Sequence, residues 1–312
     1  MNFFDFHCDT IGECVLQHKS LSANDLHIDL QKAACFKQYG QLFAVWIPDE
    51  KRGEEAFSYY KTVRDCFYRE CSENESRMMQ CKSAKDLETA FAEQKVAAIL
   101  TVEGGAALGG DLEKLDALYA DGVRLMTLTW NGSNEIGNGC FAEDKGGLTD
   151  FGKRVVQKMQ EMHILVDVSH LNECGFYDVA EYTNKPFVAS HSNAKIIENQ
   201  YAKARNLTDE QIRVLISRKG LIGLNLCDVF LGNDGDCGFD AVLRQISHFL
   251  DLGAQSVLAF GCDYDGCTVH SSLNGIDKIP RLFDYLLQHG IREEHLENIF
   301  FENGYRFLVA NL

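Results

Sequence analysis

Short apolar runs alternate with longer stretches of mixed polarity along the whole chain. The runs are Asn2–His7, Gln41–Pro48, Val96–Glu103, Gly122–Trp130, Ile164–His170, Pro186–His191, Gly220–Leu226 and Val257–Asp263. Each is brief and mostly apolar, as expected of strands buried on both faces. Between them, apolar residues recur at helical spacing. This predicts helices over Glu54–Ser72, Lys85–Gln94, Leu112–Ala120, Thr149–Met162, Leu207–Lys219, Phe239–Leu252, Ile279–Gln288 and Glu293–Leu308. Thr149 reads as an N-cap, and Thr208 with Gln211 as a capping box. Strands that alternate with helices imply a parallel sheet, and eight such units imply a closed (β/α)8 TIM barrel. An open, doubly wound sheet is the alternative. It wants a glycine-rich phosphate turn after the first strand, where this chain has His7-Cys8-Asp9-Thr10. No linker rich in Pro, Gly or Ser interrupts the pattern, so residues 1–312 read as a single domain.

Charge narrows the partners. The chain carries 30 Lys and Arg against 46 Asp and Glu, a formal charge of −16. Nucleic acids and anionic membrane surfaces both require clustered basic residues, so neither is expected as a partner. The apolar stretches fall far short of the ~20 residues of a transmembrane helix. The segment Met1–His7 has no basic region or cleavage site, so no signal peptide is expected. The twelve cysteines form no CxxC pair. In a chain of this length without an export signal they point to a reduced, cytoplasmic protein. Cys8, Cys262 and Cys267 lie near candidate site residues but are read as small buried hydrophobes.

The polar residues at the C-terminal ends of the strands carry the chemistry, because that end of a barrel holds the active site. The first run ends in His7-Cys8-Asp9, and positions i and i+2 of a strand share a face. His7 and Asp9 can therefore reach one point, with donor types that suit zinc. A second HxD, His27-Ile28-Asp29, does not end an apolar run and is discounted. The third run ends in Glu103, a carboxylate that is costly there unless paired or metal-bound. The fifth and sixth runs end in His170 and His191, and the eighth in Asp263. Three imidazoles and two carboxylates exceed the usual one-zinc catalytic set and suit two metals with one shared carboxylate. Asp263 remains for proton transfer.

Eight motifs taken in order, from Asp5-Phe6-His7-Cys8-Asp9 and Glu103-Gly104-Gly105 through Val166-Asp167-Val168-Ser169-His170, Ser190-His191-Ser192 and Ala204-Arg205-Asn206 to Gly261-Cys262-Asp263-Tyr264-Asp265-Gly266, resemble the membrane (renal) dipeptidase family of zinc metallopeptidases. The resemblance runs from residue 5 to about 266. It implies a barrel of the metallo-dependent hydrolase type with two Zn2+ ions, one held by His7 and Asp9 and the other by His170 and His191, with Glu103 bridging. It implies hydrolysis of free dipeptides, often with a C-terminal D-residue, by a hydroxide held between the ions. Asp263 looks like the acid/base and Arg205 like the grip on the substrate carboxylate. Homodimers are common in the family. Some members place a histidine after Thr-Leu-Thr, where it contacts the oxyanion. Here Trp130 and Asn131 follow, and indole cannot act as a cation, which leaves the oxyanion to zinc and Asn131. Two other readings compete. A related amidohydrolase acting on another amide or lactam would typically begin with HxH and often use a carboxylated lysine. A non-catalytic metal- or ligand-binding barrel would have lost a ligand or Asp263.

Overall fold

The computed structural model describes residues 1–233 and 235–312. All eight expected strands form: β1 (Asn2–Cys8), β2 (Gln38–Trp46), β4 (Val96–Glu103), β5 (Val123–Thr127), β6 (Leu165–Asp167), β7 (Val188–Ala189), β8 (Leu221–Leu224) and β9 (Leu258–Phe260). They pair in parallel, and the β1–β9 and β2–β4 pairings close the ring. The ninth strand, β3 (Met78–Gln80), has no counterpart among the runs. It lies along the first residues of β4, outside the ring.

The helices packed around the ring begin with α1 (Thr10–Gln17), α2 (Gly53–Glu73), α3 (Ala84–Ala92), α4 (Lys114–Asp121), α5 (Asp150–Glu161) and α6 (Glu173–Tyr182). They continue with α7 (Gln200–Arg205), α8 (Asp209–Ser217), α9 (Asp228–Leu231), α10 (Phe239–Asp251), α11 (Ile279–Gln288), α12 (Glu293–Glu297) and α13 (Asn303–Asn311). The Thr149 cap accepts from Gly152 N, and the Thr208–Gln211 capping box is complete. Helices α1, α6, α7 and α9 have no counterpart among the helices expected from spacing. The expected closing helix over Glu293–Leu308 is interrupted by a π-turn at Asn298–Glu302. Among the described residues no helix is long and apolar enough to cross a membrane.

Residues from all eight ring strands, including Phe4, Phe6, Leu42, Ile99, Leu125, Leu165, Val188, Leu221 and Ala259, meet in one apolar cluster with Phe301, Phe307 and Leu308. This cluster fills the lower half of the barrel, and α13 closes its N-terminal end. Their neighbours in the strands, such as Phe3, Phe43, Leu100 and Val102, face the surrounding helices.

Strict alternation after Phe4 and Phe6 would turn Cys8 inward and His7 out. The pairing of β1 with β2 prevents this. It passes from Asp5↔Gln41 directly to Cys8↔Phe43, three steps on one strand against two on the other. This bulge sends Cys8 into the outer cluster and aims His7 into the barrel mouth, a common use of bulges beside functional sites.

Candidate metal centre

His7, Asp9, Glu103, His170, His191 and Asp263 converge at the C-terminal mouth of the barrel, all at or just beyond strand ends. Glu103 is central. Its Oε2 lies 3.4 Å from His7 Nε2, which is itself 3.4 Å from Asp9 Oδ2. Its Oε1 lies 2.9 Å from His170 Nε2 and 3.4 Å from His191 Nε2. Thus Oε2 faces His7 and Oε1 faces His170 and His191, and Asp9 completes a group with His7 and Glu103 whose donor atoms lie within 4.8 Å of one another. Asp263 Oδ1 is 3.9 Å from His7 Nε2, and its Oδ2 accepts from Asn225 Nδ2 at 2.9 Å.

Neighbouring side chains set the imidazole protons. Ser190 Oγ donates to Asp167 Oδ2 at 2.6 Å, so it accepts from His191 Nδ1 at 2.6 Å. Asn131 Oδ1 is an acceptor, so His170 Nδ1, 2.9 Å away, carries the proton. Both Nε2 atoms then present lone pairs, yet they lie 2.9 Å apart. Two facing lone pairs repel unless a cation lies between or beside them. His7 Nε2 and Asp9 Oδ1 are also buried without a hydrogen-bond partner. The donor set therefore fits metal ions on grounds of its own chemistry.

The electrostatics agree. Burial pushes the Asp9 carboxyl up to about 7, with the charge of Glu103 adding to the effect. Burial works against the charge on His7, but Glu103 and Asp9 outweigh it and hold the imidazole well above its usual range. Burial drives His170 and His191 down, towards neutral ligands. A cluster of carboxylates this poor in fixed cations calls for positive charge.

The backbone here is strained. His170, Asp263 and Asp265 have φ of 65°, 61° and 67°, left-handed values uncommon for residues with side chains. Gly266 is required for space, because a Cβ there would collide with Asp9 Oδ2 and Asp263 Oδ1.

A cavity of about 290 Å3 opens over the cluster, lined by Asp9, Glu103, His170 and Asp263 with Trp46, Trp130, Asn131, Cys227, Phe230 and Cys267 among others. Trp130 packs edge-on against Trp46, with centroids 4.9 Å apart. Asn131 both lines the cavity and orients His170. Arg205 is buried outside this lining, at the end of α7. Its Nη1 donates to Ser192 Oγ and its Nη2 to the His191 carbonyl, both at 2.8 Å, and its Nε has no partner. Phe230 stands 5.7 Å from the guanidinium.

Several contributors have no role assigned from the sequence. Asp167 accepts four hydrogen bonds, from Thr127, Ser169 and both the amide and hydroxyl of Ser190. A carboxylate inside the run Ile164–Ser169 was the available signal. Asp5, also inside a run, accepts from the Cys262 and His7 amides, and burial raises it to about 6. Asn225 and Trp46 carried no signal beyond their places at strand ends. His27, discounted as a ligand, holds the backbone instead. Its amide donates to Asp265 Oδ1 and its Nδ1 accepts from the Asp265 amide.

A family model described as membrane dipeptidase, peptidase family M19, matches residues 1–310. The chain belongs to this family. A membrane dipeptidase is a metallopeptidase acting on dipeptides, and the assignment removes the amidohydrolase and non-catalytic readings. A metallopeptidase from Rhodobacter sphaeroides, solved with a phosphinate mimic of the dipeptide L-Ala-D-Ala, is similar over 100% of this chain and 99% of that one, with 26% identity and a TM-score of 0.92. The metallopeptidase dipeptidase AC is similar over 100% and 98%, with 27% identity and a TM-score of 0.92. A Klebsiella pneumoniae protein described as an uncharacterized protein in the pqqA 5' region is 33% identical over 242 residues, 74% of this chain and 88% of that one. These likenesses place the chain among metallo-dependent hydrolases with a (β/α)8 barrel.

Proposed function

We propose that the protein hydrolyses free dipeptides with two zinc ions, one held by His7 and Asp9, the other by His170 and His191, with Glu103 shared. The observation that carries this reading is the placing of the two Glu103 oxygens, Oε2 towards His7 and Oε1 towards His170 and His191. When bound, the ions supply an activated water near neutral pH and polarise the scissile carbonyl.

The remaining work falls to the chain itself. Asp263 Oδ1 faces the cluster, while Asn225 holds Oδ2. Oδ1 takes the proton of the attacking water and returns it to the leaving amine. The cation for the free C-terminal carboxylate is assigned to Arg205, which lies outside the cavity lining but directly behind it, 5.7 Å from the lining residue Phe230. Guanidinium has five N–H donors, and the two spent on Ser192 and His191 leave three, Nε among them. Trp46 and Trp130 wall the cavity against water, and Asn131 keeps the His170 lone pair on the cluster. A volume of about 290 Å3 lies at the small end of ligand pockets, which favours a two-residue substrate over a longer chain. Acceptance of a C-terminal D-residue is supported by likeness to the protein that bound an L-Ala-D-Ala mimic.

Steady-state kinetics on L-Ala-D-Ala, L-Ala-L-Ala and their C-terminal amides test this. Both free dipeptides should be cleaved, and amidation should raise KM sharply. Arg205→Ala should raise KM for the free acids while leaving that for the amides unchanged. Equal KM for acid and amide would remove Arg205 from the carboxylate. Cleavage of the L,L substrate alone would overturn the D-residue assignment.

A further inference from the structure

The metal-donor residues do not end at the dinuclear cluster. Beside Asp263, Cys227 and Cys267 bring two sulfur atoms to the same cavity. Cys227 follows β8, and Cys267 lies in the loop after β9. Two contacts join these segments: an isolated bridge between Cys227 and Val269, and a hydrogen bond from the Asp228 amide to the Thr268 carbonyl. The placement of the thiols is therefore built into the fold. Cys267 Sγ is further fixed by its contact with the Asp263 carbonyl at 3.3 Å. The two sulfurs and an Asp263 carboxylate oxygen all lie within 4.8 Å of one another. Around a tetrahedral ion with metal–sulfur bonds near 2.3 Å, neighbouring donors stand about 3.5–3.8 Å apart. Small side-chain rotations close the difference.

We propose that Cys227, Cys267 and Asp263 form a separate site for a soft, thiophilic cation, open on its fourth side to the substrate cavity. Its donors differ in kind from those of the His/carboxylate cluster. Sulfur selects soft ions, whereas the imidazoles and carboxylates of the cluster suit zinc and harder ions. The site shares Asp263 with the proposed proton-transfer machinery. Occupancy therefore removes Asp263 from catalysis and silences the enzyme, a consequence that rests on the acid/base reading of that residue.

Cadmium is the probe. Cd2+ is added to the zinc-loaded enzyme while the ultraviolet sulfur-to-cadmium charge-transfer band and dipeptide turnover are followed together. Histidine and carboxylate donors give no such band, so exchange into the cluster does not mimic the signal. We expect a saturable band at one equivalent and a loss of turnover of about 100-fold or more, the scale of a lost general acid/base. Cys227→Ser and Cys267→Ser should each abolish the band and the cadmium sensitivity relative to their own cadmium-free rates. Circular dichroism and zinc content confirm that each variant is folded. Cys35→Ser and Cys174→Ser, which alter exposed cysteines, should change nothing. A band that survives both cavity variants, or no band at all, would overturn the site. A band with turnover intact would leave the site standing and remove Asp263 from proton transfer.

Discussion

The two ends of the barrel are built from the same strands on opposite terms. At the lower end Phe4 and Phe6 pack with Phe301 and Phe307, and the cluster is apolar throughout. At the upper end, one residue beyond Phe6, His7 begins a cluster with unpartnered buried atoms, facing lone pairs and left-handed backbone. The bulge in β1 is the hinge between the two. The lower end holds the fold together, while the upper end is costly to fold and is kept for what it binds.

Substitutions should separate the ends. The largest effect is expected from Glu103→Ala, which deletes the side chain that faces both donor pairs. Elemental analysis should show metal lost from both, with turnover gone and the far-ultraviolet spectrum of a folded barrel retained. Retention of two equivalents would show that Glu103 does not hold the metals. Next comes Phe6→Ala, at a fully buried aromatic, which should cost about 3–5 kcal/mol in denaturant melts. The surviving folded fraction should still bind metal. Asp263→Asn should keep both metals and lower turnover by about 10²–10⁴-fold with little change in melting temperature. The smallest effect belongs to Ser190→Ala, which removes the acceptor that orients His191. Metal affinity should fall about 10–100-fold in competition with a chelator, and unaltered affinity would show that the tautomer is set elsewhere.

The contrast also explains what the sequence could show. The eight ring strands were legible because burial on both faces makes them continuous apolar runs, and the polar residues that end them stand out. Every expected metal donor came to the same mouth. The three residues of β3 are too few to show a period. The four of α9 and six of α7 are likewise short, and α1 begins directly after a site residue, Asp9. Helix α6 had a readable cap, since Asn172 accepts from the Gly175 amide. The π-turn at Asn298–Glu302 was masked because Ile299, Phe300 and Phe301 are all buried and show no single apolar face. The bulge left no local mark. Alternation alone puts His7 and Asp9 on one face, but counted from Phe4 and Phe6 it turns both outward. Arg205 was singled out by resemblance, and its burial behind His191 is a fact only of the fold.

Stripping the protein with a chelator and titrating zinc back, with dipeptide hydrolysis followed at each step, measures how many metal ions turnover requires. Turnover should be absent without metal and reach a plateau at two equivalents per chain. A plateau at one equivalent, or hydrolysis by the stripped protein, would contradict a dinuclear site shared through Glu103.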